Sequence, residues 1–168
     1  MRAQSNPLAS LRREASPGNA NPTRLNLQSV VDAAERMKGE LRQTPVIDGL
    51  KLENLQHTGA FKARGALNAV LAGIERGDRR PIIAASAGNH AAGIAWAASR
   101  AGLEAVTVVP RDAPRSKVDR IASYGAMVVQ EGDDFEQAES LARKMAAQQN
   151  LHFVHPFDDP DVIAGQGT

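Results

Sequence analysis

The 168-residue chain contains no cysteine, which excludes a disulfide framework and thiolate metal sites and fits a reducing compartment. No apolar run approaches the roughly 18–20 residues that cross a bilayer as a helix. Acids and bases are interspersed, leaving a formal net charge of only +1. Neither a membrane nor a nucleic-acid partner is expected of such a chain. Two nucleotide signatures are also missing. No Gly-x-Gly-x-x-Gly follows a strand pattern and no Gly-x-x-x-x-Gly-Lys-Ser/Thr occurs, so dinucleotide and P-loop readings lose their main support. What is present is 42% hydrophobic residues, enough for a real core in one domain of ordinary size. Composition alone predicts a soluble, cytoplasmic globular protein.

Residues 1–24 are rich in Asn, Pro, Ser, Ala and Arg without any period, which predicts a disordered tail. Arg2, Arg12, Arg13 and Arg24 against the single acid Glu14 resemble a transit peptide in composition, but no amphipathic face accompanies them. Regular patterning begins at Asn26, a suitable N-cap for a helix with Leu27, Val30, Val31, Ala34, Met37 and Leu41 on one stripe. Gln43-Thr44-Pro45 closes it, and a short strand follows at 50–52. Strands and helices then alternate. The pattern gives a helix over 61–76 with Leu67, Val70, Leu71 and Ile74 inward, then strand 82–85, helix 90–100 and strand 105–109. Helix 116–124, strand 127–130, helix 135–148 and strand 152–154 complete it. The unbroken apolar strands Ile82-Ile83-Ala84-Ala85 and Val106-Thr107-Val108-Val109 predict burial on both faces. The expected fold class is α/β: an open parallel sheet with helices on both faces and right-handed crossovers.

Ligands of such sheets sit at the carboxyl ends of the strands, so chemistry is sought in the loops there. Ser86-Ala87-Gly88-Asn89-His90 joins a strand to a helix. Its glycine lets backbone amides approach a ligand, and the helix N-terminus favours a carboxylate or phosphate. An ordinary turn capped by Ser86 or Asn89 would carry the same letters. The tract Thr58-Gly59-Ala60-Phe61-Lys62-Ala63-Arg64-Gly65-Ala66 puts Lys62 in the first turn of a helix. The positive end of the helix dipole disfavours a charged amine there, and burial behind Phe61 would act in the same direction. Only the neutral amine condenses with a carbonyl. An isolated lysine, however, is far more often a solvated surface group. In His155-Pro156-Phe157-Asp158-Asp159-Pro160, His155 joins His152 near two aspartates, but the spacing matches no recognised ligand set and no metal is expected.

Three tracts together resemble the threonine/serine dehydratase and serine racemase family of fold type II pyridoxal-phosphate enzymes. They are Leu50-Lys51-Leu52-Glu53-Asn54-Leu55-Gln56 running into 58–66, then Ala85-Ser86-Ala87-Gly88-Asn89-His90-Ala91, then Val162-Ile163-Ala164-Gly165-Gln166-Gly167-Thr168. They fall in the family's order and spacing and correspond to its N-terminal half. The resemblance implies a lyase that converts a β-hydroxy-α-amino acid such as threonine or serine to a 2-keto acid and ammonia, working as a homo-oligomer. It implies that Lys62 is the Schiff-base lysine and α-proton base, that Phe61 packs beside pyridoxal 5′-phosphate, and that Asn89 hydrogen-bonds the cofactor's ring hydroxyl. Ser86, Ala87, Gly88, Asn89 and His90 would wrap the substrate carboxylate. Racemases of the group have a serine where Ala87 stands; alanine cannot move a proton, so dehydration is favoured. The implied domain plan is 25–59 as the start of a large cofactor domain, 60–155 as a small α/β domain and 156–168 as the return to the large one.

Some positions depart from the family. Ala60 replaces the usual serine and Ala92 a frequent glutamine, and neither change removes a reacting group. Only Val46-Ile47-Asp48-Gly49 separates Thr44-Pro45 from the Leu50 strand, so one strand of the large domain is expected to be absent. The family also continues past the position of Thr168, with a glycine-rich loop for the cofactor phosphate and a residue facing the pyridine nitrogen. Two readings follow. One is a part of a catalytic dehydratase, with serine racemase or 3-hydroxyaspartate dehydratase as alternatives within the family. The other is a non-catalytic truncated paralogue, an interaction module using its exposed sheet edge.

Overall fold

The computed structural model describes residues 25–168, so the tail expected at 1–24 lies outside the described residues. Helix α1, Leu27–Arg36, opens with a capping box in which Asn26 Oδ1 accepts from Ser29 N at 3.0 Å and Ser29 Oγ accepts from Asn26 N. The expected stripe needs correction. Ala33 and Met37 are buried, whereas Leu27, Val31 and Ala34 are exposed. The helix also ends before Leu41, because the chain turns through Gly39 at φ +80° long before Pro45.

The strand expected at 50–52 is one arm of a hairpin. β1, Val46–Ile47, pairs antiparallel with β2, Leu50–Lys51. Asp48 (φ 49°) and Gly49 (φ 81°) form a two-residue turn with both central residues left-handed, the conformation an Asp-Gly pair favours. A single 3₁₀ turn, Glu53–Leu55, leads on toward α2, Lys62–Glu75.

From there the α/β expectation holds. β3 (Ile82–Ala85), α3 (Asn89–Arg100), β4 (Ala105–Val109), α4 (Arg115–Ser123), β5 (Met127–Gln130), α5 (Phe135–Gln149) and β6 (His152–Phe153) follow in turn. The four long-range strands form one parallel sheet in the order β5-β4-β3-β6. β3 is buried along its whole length. Its alternate side chains serve two cores, as the two-residue period of a strand demands. Ile83 and Ala85 pack with Ala138 and Ala142 of α5, while Ile82 and Ala84 join the core of α2 and α3.

The last element, α6 (Pro160–Gln166), does not emerge from the apolar pattern. Its signal is Asp159-Pro160: the aspartate caps Asp161 N and Val162 N, and proline occupies the first turn where no N–H is needed. Helix α2 lies between α3 and α6, and glycines make both crossings close. A Cβ at Gly165 would sit 2.8 Å from Gly65 Cα, and one at Gly93 would sit 3.1 Å from the Lys62 carbonyl oxygen. This explains why the buried face of α2 is made largely of small residues: of the four expected inward, Leu67 and Val70 are buried and Leu71 and Ile74 only partly so, while Ala63, Gly65, Ala66, Asn68 and Ala69 are covered as well.

Candidate active site

Lys62 is the first residue of α2, and the loop before it is held from several sides. Gln56 is buried and exchanges hydrogen bonds with the backbone of Arg42, both at 3.0 Å. The His57 ring stacks on Trp96 of α3 at 4.9 Å between centroids. From α4 and its C-terminal end, Arg120 donates to the Thr58 carbonyl and Tyr124 donates to the His57 carbonyl at 3.3 Å. Gly59 at φ +65° then makes the bend into the helix, a conformation that costs a side-chain-bearing residue energy.

The Lys62 amine donates to the Pro156 carbonyl at 2.7 Å, reaching across to the segment after β6. Burial lowers its pKa from the ordinary lysine value, the direction expected from the sequence. Phe61 is one neighbour of the amine, within cation–π range. The ring lies 5.4 Å from the amine and is 48% exposed.

The 86–90 loop leaves the carboxyl end of β3. Ser86 N donates to Val108 O at 3.1 Å, extending the sheet by one bond, and Ser86 Oγ accepts from Gly88 N at 3.1 Å. Neither Ser86 nor Asn89 caps α3. Gly88 is the N-cap and no side chain bonds to the helix end. Asn89 is exposed and makes no side-chain hydrogen bond among the described residues. The loop thus presents uncapped helix N–H groups, a site suited to an anion. Beside it, between α3 and α4, lies a cavity of about 220 Å³ lined in part by Ala87, Gly88, Asn89, Lys117 and Arg120. His90 turns inward: its ring is buried and Nε2 lies 3.2 Å from Val154 O. Burial drives its pKa down to about 4, so the ring is neutral at physiological pH and only its backbone N–H can face a ligand.

The two histidines considered as metal ligands diverge. His152 pairs with Asp78 at 2.7 Å, whereas His155 lies 3.6 Å from Glu139 of α5.

One set of motif residues was not singled out from sequence. Glu53 accepts from Arg64 Nε and Nη2, each at 2.8 Å, and from Thr44 Oγ1 at 2.6 Å. Hydrogen bonding from Arg64 is the main cause that holds its carboxyl below the ordinary glutamate value. Arg64 Nη1 also donates to Thr168 Oγ1 at 3.2 Å. The pair therefore fastens the first motif tract to the third across the foot of the Lys62 helix. An acid and a base eleven positions apart, each inside a recognised tract, were the available signal.

Comparison with known proteins agrees with this geometry. The family model for pyridoxal-phosphate dependent enzymes matches residues 35–168. An L-threonine ammonia-lyase of Thermotoga maritima is 50% identical over 119 residues, which is 71% of this chain and 30% of that protein. A catabolic L-threonine dehydratase of Staphylococcus aureus is 38% identical over 157 residues, covering 86% of this chain and 45% of the relative. Among solved structures, a pyridoxal 5′-phosphate-dependent aspartate racemase superposes with a TM-score of 0.79 at 35% identity, over 84% of this chain and 48% of the other. A threonine deaminase from Solanum lycopersicum, the processed form of isoform 2, gives 0.76 at 34% identity, over 84% and 42% respectively. The chain thus spans between about a third and a half of the length of these proteins. With a shielded lysine at the head of one helix, an uncapped glycine loop at the head of the next and a family match over residues 35–168, the chain belongs to the pyridoxal-phosphate dependent enzymes.

Proposed function

We propose that this chain supplies the lysine-bearing part of a dehydratase (ammonia-lyase) that turns a β-hydroxy-α-amino acid, threonine or serine, into a 2-keto acid and ammonia. The observation that carries the reading is Lys62: a half-buried amine of lowered pKa, held by one carbonyl at the head of α2, the helix that packs on α3 behind the uncapped 86–90 loop. Those residues fit pyridoxal phosphate. Lys62 would hold its carbonyl carbon, Asn89 has a free side chain for the ring hydroxyl, and Phe61 is available to flank the ring. When bound, the cofactor supplies an electron sink for charge developing at the substrate α-carbon.

The chain's own groups do the rest. Backbone N–H groups of 87–90 and the Ser86 hydroxyl receive the substrate carboxylate and fix which bond faces the lysine. Lys62 Nζ takes the α-proton, and burial, by disfavouring the charged amine, acts in the direction this role requires. His90, neutral beneath the loop, adds no competing charge. Residues 25–59 and 156–168 read as parts of a large cofactor domain and 60–155 as the small one. The complete enzyme is read as a cytoplasmic homo-oligomer, in keeping with the lack of cysteine. Racemisation is disfavoured by Ala87, whose methyl side chain has no proton to give from the opposite face.

The test is direct. The chain is incubated with pyridoxal phosphate, reduced with borohydride and digested, and the pyridoxyl mass is located. A label on Lys62, absent in Lys62→Ala, together with keto-acid release from threonine by the full-length protein, is the expected result. Labelling spread evenly over the exposed lysines would sink the proposal.

A further inference from the structure

His155 takes no part in the chemistry above, yet it is bound into the site. Its Nδ1 accepts from Asp158 N at 2.8 Å and from Phe157 N at 3.3 Å. A nitrogen that accepts from two amides carries its lone pair, so the proton of the neutral ring sits on Nε2. Nε2 faces Glu139 Oε1 at 3.6 Å, a dipolar contact longer than a hydrogen bond. Glu139 is itself held by Arg143 at 2.7 Å. The ring meets Phe157 edge-on at 4.5 Å and lies 6.2 Å from Phe153, and its side chain is 12% exposed. The turn that Nδ1 closes contains Pro156, the residue whose carbonyl accepts from Lys62 at 2.7 Å. Proline fixes φ on one side of that carbonyl, and Nδ1 holds the amides that follow it. Little freedom is left for the oxygen that points at the amine.

We propose that His155 is a positioning residue for Lys62, acting by capping the 155–158 turn so that the Pro156 carbonyl stays aimed at Nζ. The inference deepens the proposed function and rests on Lys62 being the cofactor lysine. Two variants separate the acceptor from the packing. His155→Asn keeps an acceptor near the place of Nδ1 and loses the ring. His155→Phe keeps an aromatic ring between Phe153 and Phe157 and loses the acceptor.

In the 168-residue chain, pyridoxal phosphate capture is read by the visible absorbance of the lysine adduct and by borohydride-fixed label on Lys62. His155→Phe is expected to weaken capture about tenfold, and His155→Asn to stay within about threefold of wild type. Capture by His155→Phe equal to wild type, or His155→Asn as weak as His155→Phe, overturns the proposal. The cofactor-free chain is read by NMR. In the neutral His155 ring the proton should sit on Nε2, the Phe157 and Asp158 amides should exchange slowly, and the Lys62 side-chain resonance should shift in His155→Phe but not in His155→Asn. A neutral ring with its proton on Nδ1, or a Lys62 resonance indifferent to both variants, overturns it as well. If wild type captures no cofactor on Lys62, in the chain or in the full-length protein, while the NMR pattern holds, the proposed function fails and the His155 turn stands.

Discussion

Glu53 and Arg64 meet in a two-pronged ion pair, both contacts at 2.8 Å, with side chains only 14% and 12% exposed. Such a pair is costly to break from one side, because the remaining charge stays buried without its partner. Glu53→Gln should lower unfolding free energy by about 2–3 kcal/mol in urea titration. The pH dependence follows from the lowered carboxyl. The folded state holds the charge to lower pH than the unfolded state, so the stabilisation is complete above about pH 4.5 and is lost as pH falls through the folded value. Melting temperature should therefore fall less steeply on acidification in Glu53→Gln than in wild type. Identical acid profiles would show that the pair does not act this way.

His90 shifts stability in a higher window. Its folded pKa of about 4 lies below the ordinary 6.5, so the unfolded chain binds the proton first as pH falls. Stability is full above about 6.5 and declines toward 4, by an amount on the order of 3 kcal/mol. NMR titration should find the His90 ring neutral at about pH 5.5, between those two values. A midpoint near 6.5 would mean that the ring is solvated.

The glycines of the α2–α6 crossing are expected to tolerate no side chain. Gly165→Ala would bring its methyl to 2.7 Å from Asn68 Cβ, and the helices must part. A loss of about 2 kcal/mol or more is expected. Gly73, also in α2, is the internal comparison. Its nearest neighbour would be 3.7 Å away, so Gly73→Ala should be neutral or stabilise by up to about 1 kcal/mol through helix propensity. Chemical denaturation of the two variants side by side decides it, and similar effects at both positions would contradict the packing argument.

Ala87 makes a prediction about the products. Full-length protein acting on L-serine should release keto acid faster than D-serine. Chiral chromatography of the reaction mixture reads both, and D-serine forming faster than keto acid would reverse the choice between dehydratase and racemase.

The parallel sheet was legible because β3 and β4 are short apolar runs buried on both faces, with the half-buried Val128 and Val129 of β5 continuing the pattern at the edge. Their bounds fall where the pattern puts them. The inward face of α1 departs from its apolar stripe because that face is chosen by what it packs on, including the contact of Val30 with Gly167. The hairpin at Asp48-Gly49 and the helix begun by Asp159-Pro160 are written in turn and cap residues, which a search for apolar periods passes over. Lys62 and the 86–90 loop were legible as types at helix starts. That His90 turns inward, and that the Pro156 carbonyl meets the amine, depends on contacts between segments 64 and 94 positions apart.

That distance along the chain also bears on when the site is made. Arg64 meets Thr168 over 104 positions, and Gly65 packs on α6. Contacts so far apart form late, after the intervening loop has been closed. During synthesis the Lys62 helix leaves the ribosome long before α6, with one whole flank still bare. Its amine meets the Pro156 carbonyl only after that segment has emerged, so the nascent chain carries an unanchored lysine until the turn after β6 has closed over it.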